Sequence, residues 1–248
     1  MRRRFRQGAA GFVSGAVIAA VITGCGEDGS ADSEPVDSST PVVTTSTSPT
    51  STSARASAAR VRQLVLTAEQ VPTGYTVTPV PPSQVQQIMD NLTDALAGAT
   101  ITPATCGNLQ KLPDTDPDEL GLLVAIRGQG EGLAEALVAQ PTDVRESRRQ
   151  AGECADFRIS FTGGVAAGRQ AAATTEVLAP VATDAPVADV LAMRQRVTVG
   201  GAVSITSLVG IASVKGYTVS VNANGTRPDE SAFRSFFAAA VNKVMAQG

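Results

Sequence analysis

The chain of 248 residues contains no histidine and no tryptophan, and only two tyrosines, seven phenylalanines and three cysteines. Without histidine there is no Ser-His-Asp or Cys-His nucleophile system and no HExxH zinc helix. With so few aromatics, the core must be built from Val, Leu, Ile and Ala, each contributing little beyond its buried area. Lysine is almost as scarce: Lys111, Lys215 and Lys243 are the only three, and none sits at Ser-x-x-Lys spacing. No basic cluster follows Arg6, and the formal net charge is -3, which argues against a nucleic-acid partner. The Gly128-Gln129-Gly130 run lacks the third glycine and the following lysine of a phosphate-cradling loop, and reads as a hairpin turn. Asp114, Asp116, Asp118 and Glu119 begin like a calcium loop, but Pro117 interrupts them, the central glycine is missing and Glu119 arrives too early. A solvated acidic loop is the simpler reading. No catalytic residue, cofactor-binding residue or metal ligand is therefore named, and the chain is read as non-enzymatic.

What the sequence does contain begins at its N-terminus. Arg2, Arg3, Arg4 and Arg6 precede an uncharged apolar run from Ala9 to Ile22, broken only by Ser14. That run is shorter than the about 20 residues of a comfortable membrane span, and a basic head before a short apolar centre is the form of an export signal. It closes on Val21-Ile22-Thr23-Gly24-Cys25, which resembles the bacterial lipobox. The resemblance implies that Cys25 carries a diacylglyceryl (palmitate-type) thioether and becomes the first mature residue; the alternative is a stray thiol at the end of a cleaved signal. Two acyl chains anchor a soluble domain stably, whereas one holds only marginally. Arg2-Arg3-Arg4-Phe5 also resembles a twin-arginine export pattern, so the route stays open between that and general secretion.

The expected organisation is a signal peptide over 1–24, a lipidated linker over 25–58 and one extracytoplasmic domain over 59–248. Removing the signal takes four arginines and no acid, leaving 16 basic against 23 acidic residues, a net -7. Residues 26–58 are mostly Ser, Thr, Pro, Asp and Glu, with little to bury, the composition of a disordered tether. Cys106 and Cys154 then form an even pair outside the cytoplasm, which points to a disulfide rather than two separately buried thiols.

Within the domain, 59–66 reads as a helix with Val61, Leu64 and Val65 on one side, followed by a turn at Val71-Pro72-Thr73-Gly74-Tyr75 and a short extended piece at Thr76–Thr78. Ser83 caps an expected helix to about Ala97, with Val85, Ile88, Met89, Leu92 and Leu96 at helical spacing and Gly98 as its stop. Ala99 to Thr105 reads as extended. Leu122 to Ile126 is expected as a buried strand with Leu133–Ala139 as its hairpin partner, and Asp143–Gln150 as a charged helix. Phe157, Ile159 and Phe161 alternate cleanly as a half-buried strand. Further strands are expected at Thr174–Pro180, Val190–Val199, Ser204–Val214 and Tyr217–Val221, joined too briefly to be parallel. Asn224-Gly225 is expected to turn the chain into a last helix starting near Asp229 or Ser231, its stripe made of Phe233, Phe236, Phe237, Ala240, Val241 and Val244. The predicted class is α+β: a single domain with a mainly antiparallel sheet of about five to seven strands against two to four helices.

This order of features resembles actinobacterial cell-envelope lipoproteins and, more distantly, the extracytoplasmic sensor domains of actinobacterial receptor-type Ser/Thr kinases. The resemblance implies a membrane-anchored, ligand-binding or sensor-like module on the extracytoplasmic face of the cell membrane, its ligand a small molecule, a lipid or a cell-wall fragment. It differs from those sensor domains in having one possible bridge where they usually carry two, and no kinase segment is present. The alternative role is a lipid carrier or a scaffold docking another envelope protein. An apolar tunnel would favour the carrier, and a cleft lined by Arg127, Arg158, Arg194 or Arg196 the sensor; as plain solvated strand positions these arginines favour neither.

Overall fold

The computed structural model describes residues 59–248 except 79, 82–83, 88–89, 91–92, 94–97, 111–118, 129, 163–166 and 202. The signal peptide, Cys25, the linker, most of the helix expected after Ser83 and Asp114, Asp116 and Asp118 lie outside the described residues. The strands are β1 (Thr76–Thr78), β2 (Ala99–Thr102), β3 (Gly121–Arg127), β4 (Glu131–Val138), β5 (Asp156–Phe161), β6 (Gln170–Val177), β7 (Val190–Val199), β8 (Val203–Val214) and β9 (Tyr217–Gly225). They form one sheet in the order β1-β3-β4-β9-β8-β7-β6-β5-β2, every pair antiparallel. β5 to β9 are a meander of sequential neighbours, as short connections require.

Helix α1 spans residues 59–64, α2 Val144–Glu153 and α3 Glu230–Gln247. Asp143 caps α2 and Asp229 caps α3, each carboxylate accepting the backbone N–H three residues on, at 3.0 Å. Such caps explain why both helices start where they do despite ordinary propensity in their first turns.

The helices divide between the two faces. Against α1 and α3 lie Leu123, Ala125, Leu133, Leu137, Val190, Ala192, Leu208, Ala212, Val219, Val221 and Ala223. On the other face Phe157, Ile159, Phe161, Ala171, Ala173, Leu191, Met193, Val197, Val209 and Ile211 pack with Val144 and Ala151 of α2 and with Cys106 and Cys154. Only the middle of the sheet is covered on both sides, so Val190 to Met193 are buried consecutively while the outer strands alternate. The apolar stripe of α3 falls where the spacing predicts: Phe233, Phe236, Phe237, Ala240, Val241 and Val244 are all fully buried.

The α+β class holds, with nine strands instead of five to seven. The additions are edge pieces of three and four residues, β1 and β2, too short to show a period. β2 stops at Thr102, because Pro103 has no N–H to continue the ladder; Ala104–Gln110 is a 3-10 helix holding Cys106. β3 is not buried throughout: Gly121, Leu123 and Ala125 are covered, while Ile126 is 43% exposed. β6 begins at Gln170 and ends at Val177; its alanines carry little strand propensity, and pairing to both neighbours imposes the conformation. Asn224 and Gly225 are not a turn but the end of β9, pairing with Ser207 and Thr206, and the chain bends at 226–227 instead.

Candidate functional site

Side chains alternate across a strand, and directly paired residues share a face. The register therefore assigns every strand residue to one side of the sheet. All eight charged strand residues, Arg127, Glu131, Glu135, Asp156, Arg158, Glu176, Arg194 and Arg196, fall on the α3 side. The α2 side of the nine strands carries none.

That uncharged face is nonetheless polar along one strip. Thr175, Gln195, Ser207 and Asn224 form a single row across β6, β7, β8 and β9. Asn222 and Ser220 continue it along β9 on the same side, opposite Val209 and Ile211. Gln195 is 1% exposed and Ser207 and Ser220 are fully buried. Within the row, the Ser207 hydroxyl donates to Asn224 Oδ1 at 2.7 Å. Thr175 Oγ1, Gln195 Nε2 and Oε1, Ser220 Oγ and Asn222 Oδ1 are sealed from solvent with no protein partner. Five of the six such atoms among the described residues thus lie on one face, and the sixth is Glu135 Oε1. Each buried group left unpaired costs roughly 1–3 kcal/mol, so this strip is the most polar-strained part of the described core and the candidate site.

Glu135 belongs to the other face. It is fully buried between Leu123 and Val221, its Oε2 accepting the N–H of Leu66 at 2.9 Å just beyond α1. Lys243 of α3 donates to the neighbouring Val65 carbonyl, so one carboxyl and one ammonium hold the end of α1. Burial raises the Glu135 pKa from 4.5 to about 7, against the lowering effects of the Leu66 N–H and the Lys243 charge. Because the folded value lies above the unfolded one, the folded chain binds the extra proton between pH 4.5 and 7, and stability falls as pH rises through that window. At about 1.4 kcal/mol per unit the loss is about 3 kcal/mol. Chemical denaturation at pH 5 and pH 8 should show that drop in the native chain, and Glu135→Gln should flatten it. An equally steep dependence in the variant would contradict the assignment.

The arginines named from sequence all lie on the α3 side, and two of them are held in ion pairs at the start of α3. Arg127 stacks on the Tyr75 ring at 4.7 Å and pairs with Glu131 at 2.6 Å and Asp229 at 3.1 Å. It fastens the Val-Pro-Thr-Gly-Tyr turn to the β3–β4 hairpin and to the cap of α3, and it helps the Ala232 N–H hold the Asp229 pKa below the usual carboxylate range. Arg194 bridges Glu176 and Glu230. Arg158 and Arg196 are exposed on the same face. Cys106 and Cys154 are joined by a disulfide that ties the 3-10 helix to the end of α2. Cys25 lies outside the described residues. Among the described residues no group of three or more His, Cys, Asp or Glu is placed to hold a metal ion, and no helix is long and apolar enough to cross a membrane.

Gln195, Thr175, Ser220 and Asn222 were not singled out by sequence reasoning. The available signal was Gln195, an amide at an inward-facing position of a strand otherwise reading Leu191, Met193, Val197, but only the register brings the others beside it.

No curated protein matches this chain. Among solved structures it is similar to the extracellular domain of PknH from Mycobacterium tuberculosis, at 15% identity over 75% of this chain and 95% of that one, with a TM-score of 0.48. It is also similar to an uncharacterized protein from Mycobacterium smegmatis, at 18% identity over 76% and 96%, with a TM-score of 0.44. The sequence itself matches the family described as domain of unknown function DUF5642 over residues 57–240, from the residue pair before α1 into the middle of α3, and the chain belongs to that family.

Proposed function

We propose that this chain is a lipid-anchored, extracytoplasmic lipoprotein whose α+β domain is a sensor-like module that binds a ligand over the uncharged face of its sheet. The observation that carries the binding reading is the set of five partnerless, sealed polar atoms on Thr175, Gln195, Ser220 and Asn222. A core kept only for stability would fill these strand positions with aliphatic side chains, as it does at Met193, Val209 and Ile211 around them. Hydrogen-bonding groups kept at buried positions without protein partners are groups that a bound molecule can pair with.

Gln195→Met tests this without knowledge of the ligand. Methionine has nearly the same length and no amide to leave unpaired, so the ligand-free variant should be more stable than the native chain by about 1–3 kcal/mol. A destabilised Gln195→Met would show that the amide serves the fold, and the binding reading would fall. The anchor is tested separately by fractionation: Cys25→Ser should move the chain from the membrane to the soluble fraction, and a membrane-bound, uncleaved Cys25→Ser chain would remove lipidation from the account.

A further inference from the structure

We infer that the ligand of this face is uncharged, with a head group rich in hydroxyl or amide groups. The inference rests on the binding reading above and adds the chemistry of what is bound. An ion brought onto the α2 side of the sheet would leave water without meeting a countercharge from any strand, since all eight strand charges lie on the opposite side. The buried residues of α2 are Val144, Ser147 and Ala151; of its half-buried charges, Arg148 is held in place by the Val190 carbonyl and Glu146 is paired with Arg149. The free atoms on the strip include both donors and acceptors: Gln195 Nε2 donates, Gln195 Oε1 and Asn222 Oδ1 accept, and the Thr175 and Ser220 hydroxyls do either. Hydroxyls and amides answer such a mixed set; a carboxylate, a phosphate or an ammonium answers only half of it.

The strip spans roughly 14 Å across β6 to β9, at about 4.8 Å per strand spacing, and a similar distance along β9 from Ser220 to Asn224. Its β7 end is sealed, but Asn222 and Asn224 at its β9 end are only half-buried. Beyond them on the same face come Ala134 and Ala136, then Leu122 and Val124, all half-buried, and Ile126 at 43% exposure. A neutral polar group on the strip therefore has aliphatic surface beside it on one side. That fits either a free sugar-like molecule or the neutral head of a lipid whose chain lies over β4 and β3.

Isothermal titration of the full chain carrying Cys25→Ser, which needs no detergent for its anchor, tests the class. The probes are n-decyl maltoside, sodium decyl sulfate and decyltrimethylammonium bromide, all below their critical micelle concentrations, with maltose alone as a fourth. Decyl maltoside should saturate one site at least tenfold more tightly than either charged detergent, and Gln195→Met should weaken it at least tenfold. Maltose binding as tightly as the maltoside supports a free sugar-like ligand, and weaker binding supports a lipid head group. If the charged detergents bind equally well and lose affinity in Gln195→Met, the site stands and the uncharged class is wrong. If no detergent binds, or if Gln195→Met changes nothing, both the class and the binding reading fail.

Discussion

Phe237→Asp is expected to abolish the cooperative unfolding transition of the domain, and Phe237→Ala to lower its stability by about 3–5 kcal/mol, the range for removing a buried aromatic ring. The ring is fully buried, stacked against Phe233 with centroids 6.0 Å apart, and pressed onto β8 where Gly210 leaves it room. A Cβ at Gly210 would come within 2.7 Å of the ring, closer than such contacts allow. Gly210→Ala therefore tests the same contact from the sheet side, and should cost about 1–3 kcal/mol through forced displacement of the ring. A carboxylate at 237 would be stranded in an apolar layer with no partner, which costs far more than the cavity. In a chain whose aromatic content is 4%, three phenylalanines concentrated on one helix carry a large share of the core. Urea denaturation followed by circular dichroism reads the effect; a native-like transition in Phe237→Asp would refute the central place of α3.

The second large effect is on the disulfide. Cys106 and Cys154 are separated by 48 residues and both are buried against the α2 face. Closing a loop of that length restricts the unfolded chain by about 4 kcal/mol in the chain-entropy view. The bridge also ties the 3-10 helix at Ala104–Gln110 directly to the end of the helix that roofs β6 and β7. Replacing both cysteines with alanine should lower the denaturation midpoint by an amount equivalent to 2–5 kcal/mol, about the range for native bridges in small exported domains. An unchanged midpoint would mean that the loop is held as well by packing alone.

Much of this architecture is legible in the residues because local signals agree with the fold. Phe157, Ile159 and Phe161 announce β5 by alternation, Val190 to Met193 is a short apolar run that becomes the doubly covered start of β7, and Asp143 and Asp229 mark helix starts. Where signals are weak, partners decide. Ala171 to Ala173 become strand because β5 and β7 lie on either side, and Asn222 and Asn224 are held in β9 between β4 and β8 despite their preference for turns. The candidate site is the least legible part for the same reason. Thr175, Gln195, Ser207 and Asn224 are scattered over 50 residues of sequence, and only the register of four strands lines them up. The segregation of charge is hidden likewise: along each strand the charged residues look like ordinary solvent positions, and their common side appears only once the sheet is assembled.

The binding claim is met most directly by native mass spectrometry of the chain purified from its host's membranes, set beside the Gln195→Met variant prepared in the same way. The native chain should carry a non-covalent small molecule that is released on denaturation and largely missing from the variant. An empty native chain, or an adduct retained equally by Gln195→Met, would contradict it.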